Sequence, residues 1–119
     1  MPTLSTGYII VGAYADKLRK TLFAQQSSLV KSGELDSKEL ARAAGELNRV
    51  LFDILVNKLN LDKGDVVRVR IGYEVEDRTV KWKYSTLSIE AFRRVDQGSI
   101  DKVVEEAISA ASAEAGASG

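Results

Sequence analysis

From Val66 onward the chain alternates apolar and polar residues. Val67, Val69, Ile71, Tyr73 and Val75 take one side of an extended backbone, while Arg68, Arg70, Gly72 and Glu74 take the other. This is the period of two expected of a half-buried strand. The pattern returns with Val80, Trp82 and Tyr84 on one side and Lys81 and Lys83 on the other. Between the runs, Glu76-Asp77-Arg78-Thr79 supplies a tight turn. If Val75 faces Val80, then Tyr73 faces Trp82, Ile71 faces Tyr84 and Glu74 faces Lys81, so both faces of the ribbon agree. Beyond Tyr84 the inward parity changes to Leu87, Ile89 and Ala91. One extra residue at Ser85-Thr86, a β-bulge, restores a single core face and places Leu87 opposite Val69 and Ile89 opposite Val67.

The remaining apolar positions predict helices. Leu40, Ala44, Leu47, Leu51, Ile54 and Leu55 form a stripe on a helix from Ser37 to Asn60, opposite Glu39, Arg42, Glu46, Arg49, Asp53 and Asn57. Asp36 with Glu39 three residues later makes its N-terminal capping pattern. Phe52, Val56 and Leu59 widen the apolar arc, which implies burial of that end by another helix or another chain. Residues 6–13 fit both a β-branched strand and a heptad running from Leu4 to Leu29. Gly7 and Gly12 would cost an isolated helix roughly 2 kcal/mol, which favours strand for Thr6 to Ala13 and helix from about Tyr14 to Lys31. Ser99 is placed to cap a last helix of about Ile100 to Ala113, with Ile100, Val103, Val104, Ala107 and Ile108 as its apolar face.

The expected fold is therefore a single α+β domain over 1–115, followed by a disordered tail at 116–119. Its small twisted antiparallel sheet is built on a long β-hairpin, about 65–76 and 79–94 with a bulge near 85–86, packed against two or three helices. A two-stranded ribbon is marginal alone, so the N-terminal strand or a second subunit is needed to complete the sheet.

Composition narrows the chemistry. Cysteine and histidine are absent, which removes disulfides, thiol nucleophiles, imidazole bases and the commonest zinc ligands. No glycine spacing matches a phosphate-cradling loop, and the carboxylates at Glu74, Glu76 and Asp77, and at Asp62 and Asp65, read as turn and surface groups. No catalytic residue, cofactor or metal is expected. No stretch reaches the ~20 apolar residues of a membrane span, and no basic residue precedes the run from Tyr8 as in a secretory signal, so a cytoplasmic protein is expected. The abundance of charge over cysteine, methionine, asparagine and glutamine fits a hot-living source.

The 17 basic and 17 acidic residues balance, so any site for an acidic polymer must be local. Between Val66 and Arg94, seven basic residues stand against four acidic ones. Two readings follow. In one, Arg68, Arg70, Lys81 and Lys83 are the wet face of a ribbon, with lysines discouraging edge-to-edge pairing. In the other, they track a phosphate backbone, with Arg93, Arg94 or the Lys17, Arg19, Lys20 cluster at the rim, while Trp82 and Tyr84 stack bases. Trp82, Tyr73 and Tyr84 lie opposite the basic face, so stacking requires that face to be partly open; closed, it is core.

The stretches Gly12 to Arg19 (GAYADKLR), Glu46 to Phe52 (ELNRVLF) and Lys63 to Arg68 (KGDVVR) resemble an archaeal family of short proteins related to ThermoDBP, the single-stranded DNA-binding proteins of thermophiles. The resemblance covers roughly Leu4 to Val95. It implies a mixed α/β binding module, a hydrophobic cleft flanked by basic residues, single-stranded nucleic acid as ligand, and self-association. The combined expectation is a non-enzymatic protein that binds single-stranded nucleic acid, DNA being the expected ligand ahead of RNA, through the hairpin residues Arg68, Arg70, Lys81, Trp82, Lys83, Tyr84, Arg93 and Arg94. A homodimer is the favoured assembly. The alternative is a homo-oligomeric assembly module, with an enzyme using carboxylates alone a distant third.

Overall fold

Residues 1–118 are described by the computed structural model. The long alternating run forms β3 (Val66–Glu76) and its return forms β4 (Thr79–Phe92). Asp77 and Arg78 both take positive φ, 53° and 62°, the mirror-image turn whose twist matches the flanking strands. Val75 faces Val80, Tyr73 faces Trp82 and Glu74 faces Lys81, as the pattern predicts.

The bulge is at the expected place but larger than expected. Arg70 faces Ser88 while Gly72 faces Lys83, so Tyr84 to Leu87 all loop out opposite Ile71. Three extra residues are absorbed, and parity reverses as it would for one. Ile89 consequently sits opposite Val69 and Ala91 opposite Val67, two places along from the simplest register. The hydroxyl of Thr86 fills the gap in the ladder, accepting the Gly72 N–H at 2.8 Å and donating to the Lys83 carbonyl.

The other edge of β3 is occupied by the N-terminal segment, in two pieces. Strand β1 (Thr3–Ser5) pairs Ser5 with Arg70, and β2 (Ile9–Ile10) pairs Ile9 with Val67. One residue too many lies between these registers, and Gly7 absorbs it at φ 63°, a left-handed conformation that glycine adopts without steric cost. Thr6 repairs the ladder there: its N–H reaches the Val69 carbonyl and its hydroxyl accepts the Val69 N–H, each at 3.0 Å. The 6–13 segment is thus partly strand, and Val11–Ala13 forms a 3₁₀ turn leading into a helix.

Helices cover one face of this antiparallel sheet. They are α1 (Tyr14–Gln25), α2 (Ser27–Lys31) and α3 (Ser37–Phe52). The Asp36 side chain caps α3 by accepting the Lys38 N–H. Leu40, Ala43, Ala44, Leu47 and Leu51 meet Val67, Val69, Ile71, Tyr73, Val80 and Trp82, with Leu4, Leu18 and Leu22 completing the core. The polar atoms of the buried aromatics are satisfied: the Trp82 indole N–H donates to the Ala43 carbonyl at 2.8 Å. The Tyr73 hydroxyl donates to Gln25 and accepts from Gln26 where α1 gives way to α2. Beyond Phe52 the helix widens into π geometry over Asp53–Lys58. Phe52 and Leu59 are exposed at this end, so no helix of this chain covers the wider apolar arc among the described residues.

A polar network ties α3 to the hairpin. Arg42 on α3 forms ion pairs with Glu39 and Glu46 and donates to the Val80 carbonyl; Glu39 accepts the Val80 N–H and Glu46 accepts the Tyr84 hydroxyl. This seals the start of the β4 edge against the helix. The last helix, α4 (Gln97–Ser118), starts from Asp96, whose carboxylate takes the Ser99 N–H; Asp96, not Ser99, is the cap. It runs past Gly116 through most of the tail expected to be disordered, and Gly119 lies outside the described residues. Every residue from Gln97 to Gly116 is exposed. The helix stretches the molecule to 74 × 31 × 21 Å. The radius of gyration is 21.2 Å, against about 13 to 14 Å for a compact chain of this length.

Trp82→Ala should cost about 3 to 5 kcal/mol of stability, read by chemical denaturation, because it removes a buried ring and orphans the Ala43 carbonyl. Arg42 bonding holds Glu39 below its usual range, and bonds from Tyr84 and Arg42 do the same for Glu46. Lowered folded-state values mean that this stability is present above the ordinary carboxylate range and is lost as pH falls through it. The Tm of the native chain should fall between about pH 5 and pH 3, and Glu39→Gln should flatten that dependence.

Candidate nucleic-acid interface

Among the described residues, no helix covers the other face of the sheet. Along β3 it presents Val66, Arg68, Arg70 and Glu74, with Gly72 buried beneath Met1 and Thr86; β4 contributes Lys81, Lys83, Ser88, Glu90 and Phe92. The N-terminal segment adds Thr3, Ser5, Tyr8 and Ile10. The parity change at Gly7 turns Tyr8 onto this face beside Arg68, where the guanidinium lies 4.5 Å from the ring centroid. The enlarged β4 bulge brings Phe92 opposite Val66. The Tyr8 and Phe92 rings meet edge to face, with centroids 5.8 Å apart, and the residues are 59% and 50% exposed. Large aromatics left this open are available to stack on a planar ligand.

The cations of this face differ in how they are held. Arg68 forms a short ion pair with Glu90 directly across the strands, and its side chain is only 22% exposed. Lys81 pairs with Glu76 at 3.6 Å and Lys83 with Glu74 at 3.1 Å, so the lysines bridge diagonally, whereas the pattern suggested Glu74 with Lys81. Arg70 is exposed, and among the described residues no carboxylate lies within 4 Å of it. It is the cation best placed to meet an anion without displacing a partner.

Four of the expected site residues, Arg68, Arg70, Lys81 and Lys83, thus share one open face. Trp82 does not join them: it is 7% exposed beneath α3, 5.3 Å from Tyr73 in an edge-to-face pair. The face bearing Trp82 is closed because α1 and α3 bury it, so Trp82 is core. Tyr84 points to the helix side, where its hydroxyl donates to Glu46 at 2.6 Å; burial first, and then Glu46, push its pKa up to about 12. Arg93 reaches back to the Leu59 and Asn60 carbonyls at the end of the π segment, where exposed carbonyls attract a cation. Arg94 bonds Gln97, and its N–H donates to Asp65. The Arg94 and Asp62 N–H groups hold Asp65 below the usual carboxylate range.

A cleft of about 390 Å³ beside Arg94 is lined by Asp62, Asp65 and Asp96 among others. Its acidic lining has the wrong sign for phosphate. Among the described residues no helix is long and apolar enough to cross a membrane.

Sequence reading missed the two aromatics on the basic face. Phe92 was within reach, since inward Ile89 and Ala91 require outward Glu90 and Phe92. Tyr8 was hidden, because its orientation depends on where the extra residue near Gly7 is absorbed.

The family model for ThermoDBP-related proteins of archaea matches residues 4–81. The crystal structure of apeThermo-DBP-RP2 bound to ssDNA dT10 is similar to the chain with a TM-score of 0.87 and 53% identity over 93% of this chain. The similarity takes in 51% of that chain, so the protein here spans about half its length. The crystal structure of pfuThermo-DBP-RP1 (crystal form II) gives a TM-score of 0.71 at 28% identity, covering 96% of this chain and 80% of that one. No curated protein matches. Agreement in sequence and fold over most of its length shows that the chain belongs to the ThermoDBP-related family of archaea.

Proposed function

We propose that the uncovered face of the sheet binds single-stranded DNA with little sequence preference, and that binding rather than catalysis is the role of this protein in the cytoplasm. One observation carries the reading: Tyr8 and Phe92 stand exposed on the same face as Arg68 and Arg70. Stacking rings and cations in one plane fit a strand whose bases are free and whose phosphates repeat at regular intervals. The bound dT10 of apeThermo-DBP-RP2 supports the choice of ligand. Arg70 is the principal phosphate contact, with Arg68, Lys81 and Lys83 beside it. Tyr8 and Phe92 take the stacking role that the sequence assigned to Trp82 and Tyr84. Arg93 and Arg94 hold the loop leading into α4.

We further propose that a second copy of the chain covers α4. Ile100, Val103, Val104 and Ile108 are 38 to 64% exposed on an isolated helix, and their i, i+3, i+4 spacing makes one stripe suited to pairing with itself. Two copies joined there present two sheet faces to one strand, which raises avidity without new contacts.

Arg70→Ala should weaken binding of an oligothymidylate and reduce the slope of log affinity against log salt by about 0.7 to 1. Tyr8→Ala and Phe92→Ala should each cost about 1 to 3 kcal/mol of binding with little change in Tm. Fluorescence anisotropy across a salt series measures both; affinity and slope unchanged in all three variants would remove this face as the site. For α4, Val103→Asp with Ile108→Asp should convert a dimer to a monomer in sedimentation while the Trp82 melting transition holds. A native chain that sediments as a monomer rejects the pairing.

A further inference from the structure

Resting on the proposed DNA-binding face, we infer that Glu90 is an internal competitor for the phosphate: its carboxylate occupies the edge of the Arg68 guanidinium that a backbone phosphate takes, so binding at Arg68 requires Glu90 to leave. The geometry is particular. Both the Nε and an Nη of Arg68 contact the same carboxylate oxygen of Glu90, which uses the two-donor edge by which a guanidinium grips a phosphate. Tyr8 lies against the guanidinium plane, so the group cannot turn freely to offer another edge. Arg70 is two residues along the same face of β3, and Ser88 rather than an acid stands opposite it. Bonding from Arg68 first, and then the charges of Arg68 and Arg70 and the Tyr8 hydroxyl, hold the Glu90 carboxyl below the usual carboxylate range.

The two partners differ in freedom. The Arg68 side chain is 22% exposed and pinned, whereas that of Glu90 is 43% exposed and on the edge strand, with water on its open side. An incoming phosphate thus displaces Glu90, not Arg68. Glu74 and Glu76 neutralise lysines farther along the ribbon, but neither holds an arginine beside the aromatic pair. Glu90 sets the affinity of the face: it holds Arg68 in its binding conformation while the site is empty and lowers the net gain when the site fills. It also lowers salt sensitivity, because a displaced carboxylate must regain a counterion while the phosphate loses one.

The test is a double-mutant cycle on oligothymidylate affinity over a salt series, using the full chain and the variants Glu90→Gln, Arg68→Ala and both together. Glu90→Gln should tighten binding about fivefold at low salt, the scale of one partly exposed ion pair, and steepen the salt slope by about 0.7. In the Arg68→Ala background the same substitution should change affinity by no more than about twofold, the general effect of one fewer negative charge on the face. Trp82 fluorescence melting confirms that each variant is folded. Equal gains with and without Arg68 would mean that Glu90 acts only as a distant charge, and no gain from Glu90→Gln would mean that it does not compete; either overturns the inference while leaving the DNA-binding face intact. If the folded native chain and the folded Glu90→Gln variant both fail to bind, the DNA-binding reading falls and the inference falls with it.

Discussion

The structure depends on the burial of one face of β3. Val67, Val69, Ile71 and Tyr73 are sealed at 0% exposure, and a shift of one residue would exchange all four for Arg68, Arg70, Gly72 and Glu74. Placing two unpaired guanidinium groups in an apolar core is far more costly than bending a neighbouring strand. The register of β3 is therefore fixed, and the segments paired with it must accommodate it. They do so by looping out residues, one at Gly7 on the N-terminal edge and three between Tyr84 and Leu87 on the other. At both places a threonine hydroxyl takes over a ladder bond, so the Val69 and Gly72 N–H groups keep acceptors where the backbone is irregular.

These two irregularities compose the exposed face. The first turns Tyr8 outward beneath Arg68; the second slides β4 so that Glu90 meets Arg68 and Phe92 meets Tyr8. With a one-residue bulge on β4, Ser88 would stand opposite Arg68, and Glu90 and Phe92 would lie two places farther along. The aromatic residues of the hairpin went the other way. Tyr73 and Trp82 bring hydrogen-bonding atoms into the core, and Gln25, Gln26 and the Ala43 carbonyl are there to receive them. Meeting those requirements fixes α1 and α3 on the inner face and leaves the outer face without a cover.

A face of this kind is tempered. The chain has no net charge, and most cations of the sheet already have carboxylate partners, so the attraction for a polyanion is local and centred on Arg70 and the exchangeable Arg68. Two open rings supply contact that salt does not screen. Helix α4, standing clear of the domain, supplies a way to multiply that modest contact by joining copies.

The sequence by itself determined the two hairpin strands, their inward parity, the hairpin turn, the capped stripe of α3 and the basic character of one face, because each rests on a local period or on residues near one another in the chain. It also carried the family likeness. It did not determine which aromatics serve the face. Trp82 and Tyr84 were plausible while the inner face could be open, and only the packing of α1 and α3 closed it. The size of the β4 bulge was equally hidden, since one and three extra residues give the same alternation. Partners across a sheet depend on the absolute register, which is set by the whole core and by bonds such as those of Thr86, whereas alternation reports only parity. The sequence thus assigned residues to faces, and tertiary structure decided which of them meet.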